Sequence, residues 1–188
     1  MSIYGAEVGK VYGQPIETFS RFWILAGSHV LFIVDRIEAT QPVTTLWNWV
    51  VNNREGQTKW TKNAHSLTIH KQNAGMKLFH GGQGAWTFLV HGFLHDAYHP
   101  EPNQLGEGKS GSSLLFRFTE KQRAKTRTVV HAIALDTPEL LEKWQFEQEN
   151  NTFTLRNGVQ KWTLNVNDDA TGTFSIVSNK AEKWDIHI

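Results

Sequence analysis

Apolar and polar residues alternate with a period of two along most of this chain. His65-Ser66-Leu67-Thr68-Ile69-His70 sets Leu67 and Ile69 on one face, and Leu114, Phe116 and Phe118 alternate with Leu115 and Arg117. Val129, His131, Ile133 and Leu135 alternate with Val130, Ala132 and Ala134, and Trp184, Ile186 and Ile188 share a face near the C-terminus. That period is the mark of half-buried strands. Thr18–Leu25 and Val30–Ile37 are further strand runs, joined at Gly27-Ser28 by a tight hairpin. Val30 to Val34 is apolar at every position, as in a strand covered on both faces. Pro42–Val51, Trp86–Val90 and Gly172–Val177 add strands. Asn157-Gly158, between Thr152–Arg156 and Val159–Val166, is a strong short hairpin signal.

Helix signals are few. Thr137 suits a cap and Pro138 a first helical position, so Thr137–Lys143 predicts one or two turns. There is no βαβ alternation and no repeat. The expected fold is therefore all-β: an antiparallel β-sandwich, supersandwich or jelly-roll-like, with at most one short helix. Residues 1–188 are expected to form a single sandwich domain, with an internal joint near 134–143 between a larger front sandwich and a smaller tail sheet. The longest irregular stretch, 92–112, holds two prolines and four glycines, and a loop of that length is commonly functional or mobile.

Composition narrows the function classes. A net charge of +1 gives no reason to expect nucleic acid or an anionic membrane as partner. The most apolar stretch, Phe22–Ile37, is interrupted at Gly27-Ser28-His29 and is too short and polar to span a bilayer. Glu7 and Lys10 stand where a signal peptide would need an apolar core. With no cysteine, disulfides and cysteine-ligated zinc are excluded. Gly106-Glu107-Gly108-Lys109-Ser110-Gly111 ends like a phosphate loop, but Asn103 replaces the first glycine and a strand follows instead of a helix, so nucleotide binding is not expected.

Three segments together resemble heparinase II/III-type polysaccharide lyases. The first is Ser20–Leu25 followed by Val30–Ala39 and Gln41-Pro42-Val43, where an Arg opens one strand and the next ends in Val34-Asp35-Arg36. The second is Leu67-Thr68-Ile69 with Gly75-Met76-Lys77-Leu78 before Gly81-Gly82-Gln83-Gly84. The third is Leu115–Phe118, a basic turn, then Val129–Leu135. The resemblance covers about residues 17 to 136, by motifs that are structural. It implies the β-rich C-terminal region of enzymes that cleave uronate-containing polysaccharides by β-elimination, in the periplasm or outside the cell. It also implies that most catalytic groups and the family's zinc ligands lie on a helical toroid and on strands preceding the one that bears Arg21. The expectation is a catalytically incomplete sandwich that supports a lyase or binds an acidic polysaccharide, with an upstream toroid domain or its own copy as a further partner.

Candidate sites follow from the chemistry. Elimination needs a base for the α-proton, an acid for the leaving oxygen and a group that neutralises the carboxylate. Tyr98 with His91 and His99 is the local grouping that offers such side chains, against solvated loop residues. His91, His95 and His99 have a spacing that would suit zinc if the segment were helical, although Gly92 and Pro100 argue against a helix. Lys121, Arg123, Lys125 and Arg127 crowd a hairpin tip, as a glycan's sulfates or carboxylates would favour, or as a solvated turn would tolerate. Trp47 and Trp49 lie two apart on one strand face, fit either to stack on sugar rings or to fill the core. An aromatic docking face for another protein is the third reading. Asp35 is expected to accept backbone or arginine hydrogen bonds, and His131 to be a satisfied core histidine.

Overall fold

The structure is a computed structural model that describes residues 1–53, 56–91, 113–167, 174–179 and 183–186, with backbone alone at 89–91 and 186. In chain order the elements are β1 (Ser2–Glu7), α1 (Gly9–Tyr12), β2 (Ile16–Ala26), β3 (Val30–Val43), β4 (Leu46–Asn52), β5 (Lys59–Lys62), β6 (Ser66–Lys71) and β7 (Ala74–His80). They continue with β8 (Gly84–His91), β9 (Ser113–Glu120), β10 (Ala124–Asp136), α2 (Pro138–Leu141), β11 (Gln145–Glu149), β12 (Thr152–Arg156), β13 (Lys161–Val166), β14 (Phe174–Ser178) and β15 (Lys183–Ile186). Among the described residues no helix is long and apolar enough to cross a membrane.

The strands form three antiparallel sheets. A central sheet runs β1-β2-β3-β10-β7-β6-β5, a small sheet runs β4-β9-β8, and a tail sheet runs β11 to β15 in sequence order. The other two sheets cover the two faces of the central one. One core joins Phe32 and Val34 of β3 and Val130, Ala132 and Ala134 of β10 to Phe153, Leu155, Leu164, Val166, Phe174 and Ile176 of the tail sheet. The second joins Ile33, Ile37, Leu78, Val129 and Ile133 to Trp47, Trp86, Phe116 and Phe118 of the small sheet. This two-sided cover is why β3 reads as an unbroken apolar run: alternate residues enter different cores. The all-β sandwich expected from periodicity is the fold observed.

Three details differ in extent. Pro42 and Val43 close β3, and the next strand starts only at Leu46. Lys59–Lys62, for which periodicity gives no strand, forms β5 and pairs Trp60 with Ile69 of β6. At most one short helix is expected, and the described residues hold two: α1, which follows β1, and the turn expected after Thr137. Leu141 of α2 and Trp144 just after it are fully buried in the tail-sheet core, so the helical turn works as a plug. Buried Lys77 secures it by donating to the Trp144 carbonyl at 3.1 Å.

Candidate functional site

A row of polar side chains crosses four strands of the central sheet inside the apolar core shared with the small sheet. Strand register creates it. Arg21 on β2 lies directly opposite Asp35 on β3, and His131 on β10 lies directly opposite His80 on β7. Asp35 pairs with Val129, two residues from His131, so Asp35 and His131 are diagonal neighbours on one face. Glu120, at the end of β9 in the facing sheet, meets His80, and Arg127 on β10 meets Glu120.

The contacts run in sequence along the row. The Arg21 guanidinium grips Asp35 with two parallel bonds, Nε to Oδ1 at 2.6 Å and Nη2 to Oδ2 at 2.7 Å. Such a fork suits Arg and not Lys. The Trp47 indole N–H also donates to Asp35 Oδ2, at 2.6 Å. His131 Nε2 stands 3.4 Å from the same oxygen, an ion-pair distance, yet too poorly aligned for a hydrogen bond. The two Nδ1 atoms of His131 and His80 are 2.9 Å apart, and His80 Nε2 is 3.3 Å from Glu120 Oε1. The other Glu120 oxygen accepts from the Gln83 amide at 3.1 Å and faces Arg127 Nη1 at 3.0 Å. Gly82 is required here, since a Cβ at that position would fall 1.7 Å from Glu120 Oε1 and 2.8 Å from His80 Nε2.

Burial and pairing set the charges. Burial by itself raises the Asp35 carboxyl, but the Arg21 fork outweighs it and holds the group at about 2. Burial likewise raises Glu120, and His80 and Arg127 bring it below its ordinary value. Burial pushes His80 down to about 4 against the pull of Glu120, and pushes His131 down against that of Asp35. The row therefore reads as two ionised carboxylates, each held by an arginine, with two neutral imidazoles between. Among the described residues no group of three His, Asp or Glu side chains is arranged to hold a metal ion. Here each carboxylate sits on the outer nitrogen of its histidine, so the ligand atoms form a line and do not converge.

One end of the row opens to solvent. Arg21, about one-third exposed, forms the floor of a cleft of about 650 Å³ lined by Tyr12, Phe19, Trp23, Thr45, Trp47 and Trp49 among others. Its guanidinium stands 5.4 Å from the Phe19 ring and 6.0 Å from the Trp23 ring. Two of its five N–H groups are committed to Asp35. Thr45 Oγ1 and Trp49 Nε1 are buried in the cleft wall without a hydrogen-bond partner among the described residues.

The sequence-derived candidates fall in different places. Trp47 is buried and Trp49 half-buried, both packed edge-on to His131, so each contributes to the cleft wall from within the core. Lys121, Arg123 and Lys125 are exposed on the β9–β10 turn. That turn adjoins the cleft, since Ala124 pairs with Val43 and the Glu120 amide donates to the Thr45 carbonyl at 3.1 Å. Arg127 is set apart from the other three cations by its commitment to Glu120 and to the Gln122 carbonyl. His91 ends β8 opposite Ser113. Tyr98, His95 and His99 lie outside the described residues, and with them the proposed base grouping and the histidine spacing considered for zinc. Asp35 accepts arginine hydrogen bonds as expected, and His131 is a buried core histidine as expected but not a fully satisfied one, since its Nε2 has no hydrogen-bond partner among the described residues. His80, Glu120 and Arg21 were not singled out as a group, although each shares strand parity with core residues (Leu78, Phe118 and Phe19), which is the signal that marks a polar side chain as inward-facing.

No known family profile matches the chain, and no curated protein matches it in sequence. Among solved structures it is similar to a heparinase III, with a TM-score of 0.61 and 8% identity over 99% of this chain and 25% of that one. It is also similar to a methylated-lysine form of a heparinase III, with a TM-score of 0.59, 9% identity and the same coverage. A heparan sulfate lyase mutant from Pedobacter heparinus matches with a TM-score of 0.54 and 7% identity, over 99% of this chain and 26% of that one. The chain thus spans about a quarter of the length of the structures it matches, and what it shares with them is a heparinase-like β-sandwich fold.

Proposed function

We propose that this chain is a sandwich domain related to the C-terminal region of heparinase II/III-type lyases, one that binds an acidic polysaccharide and is catalytically incomplete by itself. The observation that carries the reading is the cleft over Arg21. A cation anchored from below by a buried carboxylate and walled by Trp23 and Trp49 offers what an acidic sugar requires. Flat apolar rings suit a pyranose face. Spare guanidinium donors suit a carboxylate or sulfate, and a pre-held side chain loses little entropy on binding. The exposed cations Lys121, Arg123 and Lys125 beside the cleft would steer the chain of anionic sugars toward it. Likeness to lyases named for heparin and heparan sulfate supports this class of ligand.

Heparin-affinity chromatography over a salt gradient tests the reading. Retention is expected to weaken with salt and with the double change Arg123→Glu/Lys125→Glu, because exposed charges act over a screened range. Arg21→Gln is expected to cost about tenfold or more in affinity, the worth of a hydrogen bond to a charged group. Binding that ignores all three substitutions would sink the cleft as the site. The rival reading, an active lyase using His91, Tyr98 and His99, predicts ultraviolet absorbance from a new conjugated double bond when the protein meets heparin, alginate or chondroitin.

A further inference from the structure

Counting protons along the buried row shows one position unfilled. Three gaps separate four groups: Asp35 to His131, His131 to His80, and His80 to Glu120. Two neutral imidazoles supply two N–H donors. The two gaps with hydrogen-bond geometry are the Nδ1 to Nδ1 contact and the His80 Nε2 to Glu120 contact. Both carboxylates are ionised against an arginine, but only the His80 contact with Glu120 meets hydrogen-bond geometry and the His131 contact with Asp35 does not, so His80 carries its proton on Nε2 and accepts at Nδ1. His131 must then donate from Nδ1. This leaves His131 Nε2 as a bare lone pair beside Asp35 Oδ2.

We propose that this lone pair is a single-proton acceptor coupled to the cleft: an anionic sugar group that engages Arg21 drives uptake of one proton from solvent onto His131 Nε2. The inference rests on the cleft being an anion site. Its physical basis is charge compensation at Asp35, which has no exposure to water and depends on Arg21 for its counter-charge. An anion that draws on the guanidinium weakens that support. An imidazolium at His131, 3.4 Å from the carboxylate, restores it. The same anion cancels the repulsion between Arg21 and a protonated His131. The charged and titratable groups facing His131 are Asp35 from β3, Arg21 from β2, His80 from β7 and Glu120 from β9, with Arg127 beyond Glu120 on β10. The β4 residues against its ring, Trp47 and Trp49, are uncharged. By linkage, binding tightens as pH falls, by up to about tenfold per pH unit where the proton is taken up.

Nitrogen-15 NMR of the histidine rings, titrated with and without a heparin tetrasaccharide, tests this. In the free protein at pH 7.5, His131 is expected to carry its proton on Nδ1 and His80 on Nε2, with acid adding one proton to the pair. The tetrasaccharide is expected to move that step upward by about one pH unit or more, and Arg21→Gln to do the same with no ligand present. A His131 proton already on Nε2 at pH 7.5 in the unsubstituted protein overturns the proposal whatever the variant does. So does a titration step unmoved in Arg21→Gln, or unmoved by tetrasaccharide that demonstrably binds. If Arg21→Gln fails to fold, the tautomer pattern and the tetrasaccharide shift in the unsubstituted protein decide. If the tetrasaccharide does not bind and Arg21→Gln still raises the step, the glycan reading falls while the coupling of His131 to Arg21 stands.

Discussion

Asp35 is fully buried and accepts three hydrogen bonds, so its charge is what the row depends on. Asp35→Asn keeps the shape and removes the charge. Breaking a buried pair costs about 3–5 kcal/mol, and Arg21, being one-third exposed, can turn to solvent, which places the expected loss near 3 kcal/mol. Urea denaturation measures it, and a loss under about 1 kcal/mol would mean that the fork does not hold the sheet. Acid acts on the same residues. His80 titrates at about 4 in the folded protein against 6.5 ordinarily, so between those values the unfolded chain binds more protons and stability falls as pH falls. Above 6.5 this contribution is complete. His80 alone accounts for about 3 kcal/mol across the window, and His131 acts in the same direction. Below it, Asp35 extends the loss from 3.8 toward about 2. Denaturation midpoints should therefore hold from pH 7.5 to about 6.5 and decline from there to pH 3.5, and a midpoint that rises on acidification would show that the histidines are protonated in the native state.

Elements are where the sequence speaks most clearly. Period two locates strands such as β14, where one face enters a core and the other does not, whereas β3, covered on both sides, is recognised as an unbroken apolar run. Four strands fall outside those patterns: Ser2–Glu7 (β1) is an edge with no buried position, and Ala74–His80 (β7) is marked by the family resemblance and not by periodicity. Gln145–Glu149 (β11) has four exposed or polar positions and is an edge, and Lys59–Lys62 (β5) is another edge with only Trp60 turned inward. The candidate site was legible only in fragments. Parity marks Arg21, His80, Glu120 and His131 as inward-facing one by one, but their meeting depends on β10 lying between β3 and β7, a non-local pairing that no local pattern encodes. Trp144 illustrates the element-scale energetics. It is 1% exposed, its indole N–H donates to Asp136 at 3.0 Å, and it seals the end of the tail-sheet core. Trp144→Ala should cost about 3–5 kcal/mol, read as a shifted denaturation midpoint with an unchanged slope.

At the scale of the whole molecule, β10 belongs to both cores at once, with Val130, Ala132 and Ala134 facing the tail sheet and Val129, His131 and Ile133 facing the small sheet. β2, β3 and β7 are shared in the same way, so strain or loosening in one core reaches the other through the central sheet, which also carries most of the polar row. We propose that 1–188 unfolds as one cooperative unit in spite of the helical joint after Asp136. Thermal unfolding should be a single transition, with near-ultraviolet and far-ultraviolet dichroism coinciding at every temperature. Cutting the chain after Asp136 would strip the cover from Ile24, Phe32, Val34, Val130 and Ala132, an apolar face far larger than a soluble monomer exposes. That fragment is expected to aggregate or to unfold at much lower denaturant, and to lose heparin retention although every residue of the cleft remains in it. A soluble, stable 1–136 fragment with undiminished retention would show that the tail sheet is an independent domain and that the front sandwich binds without it.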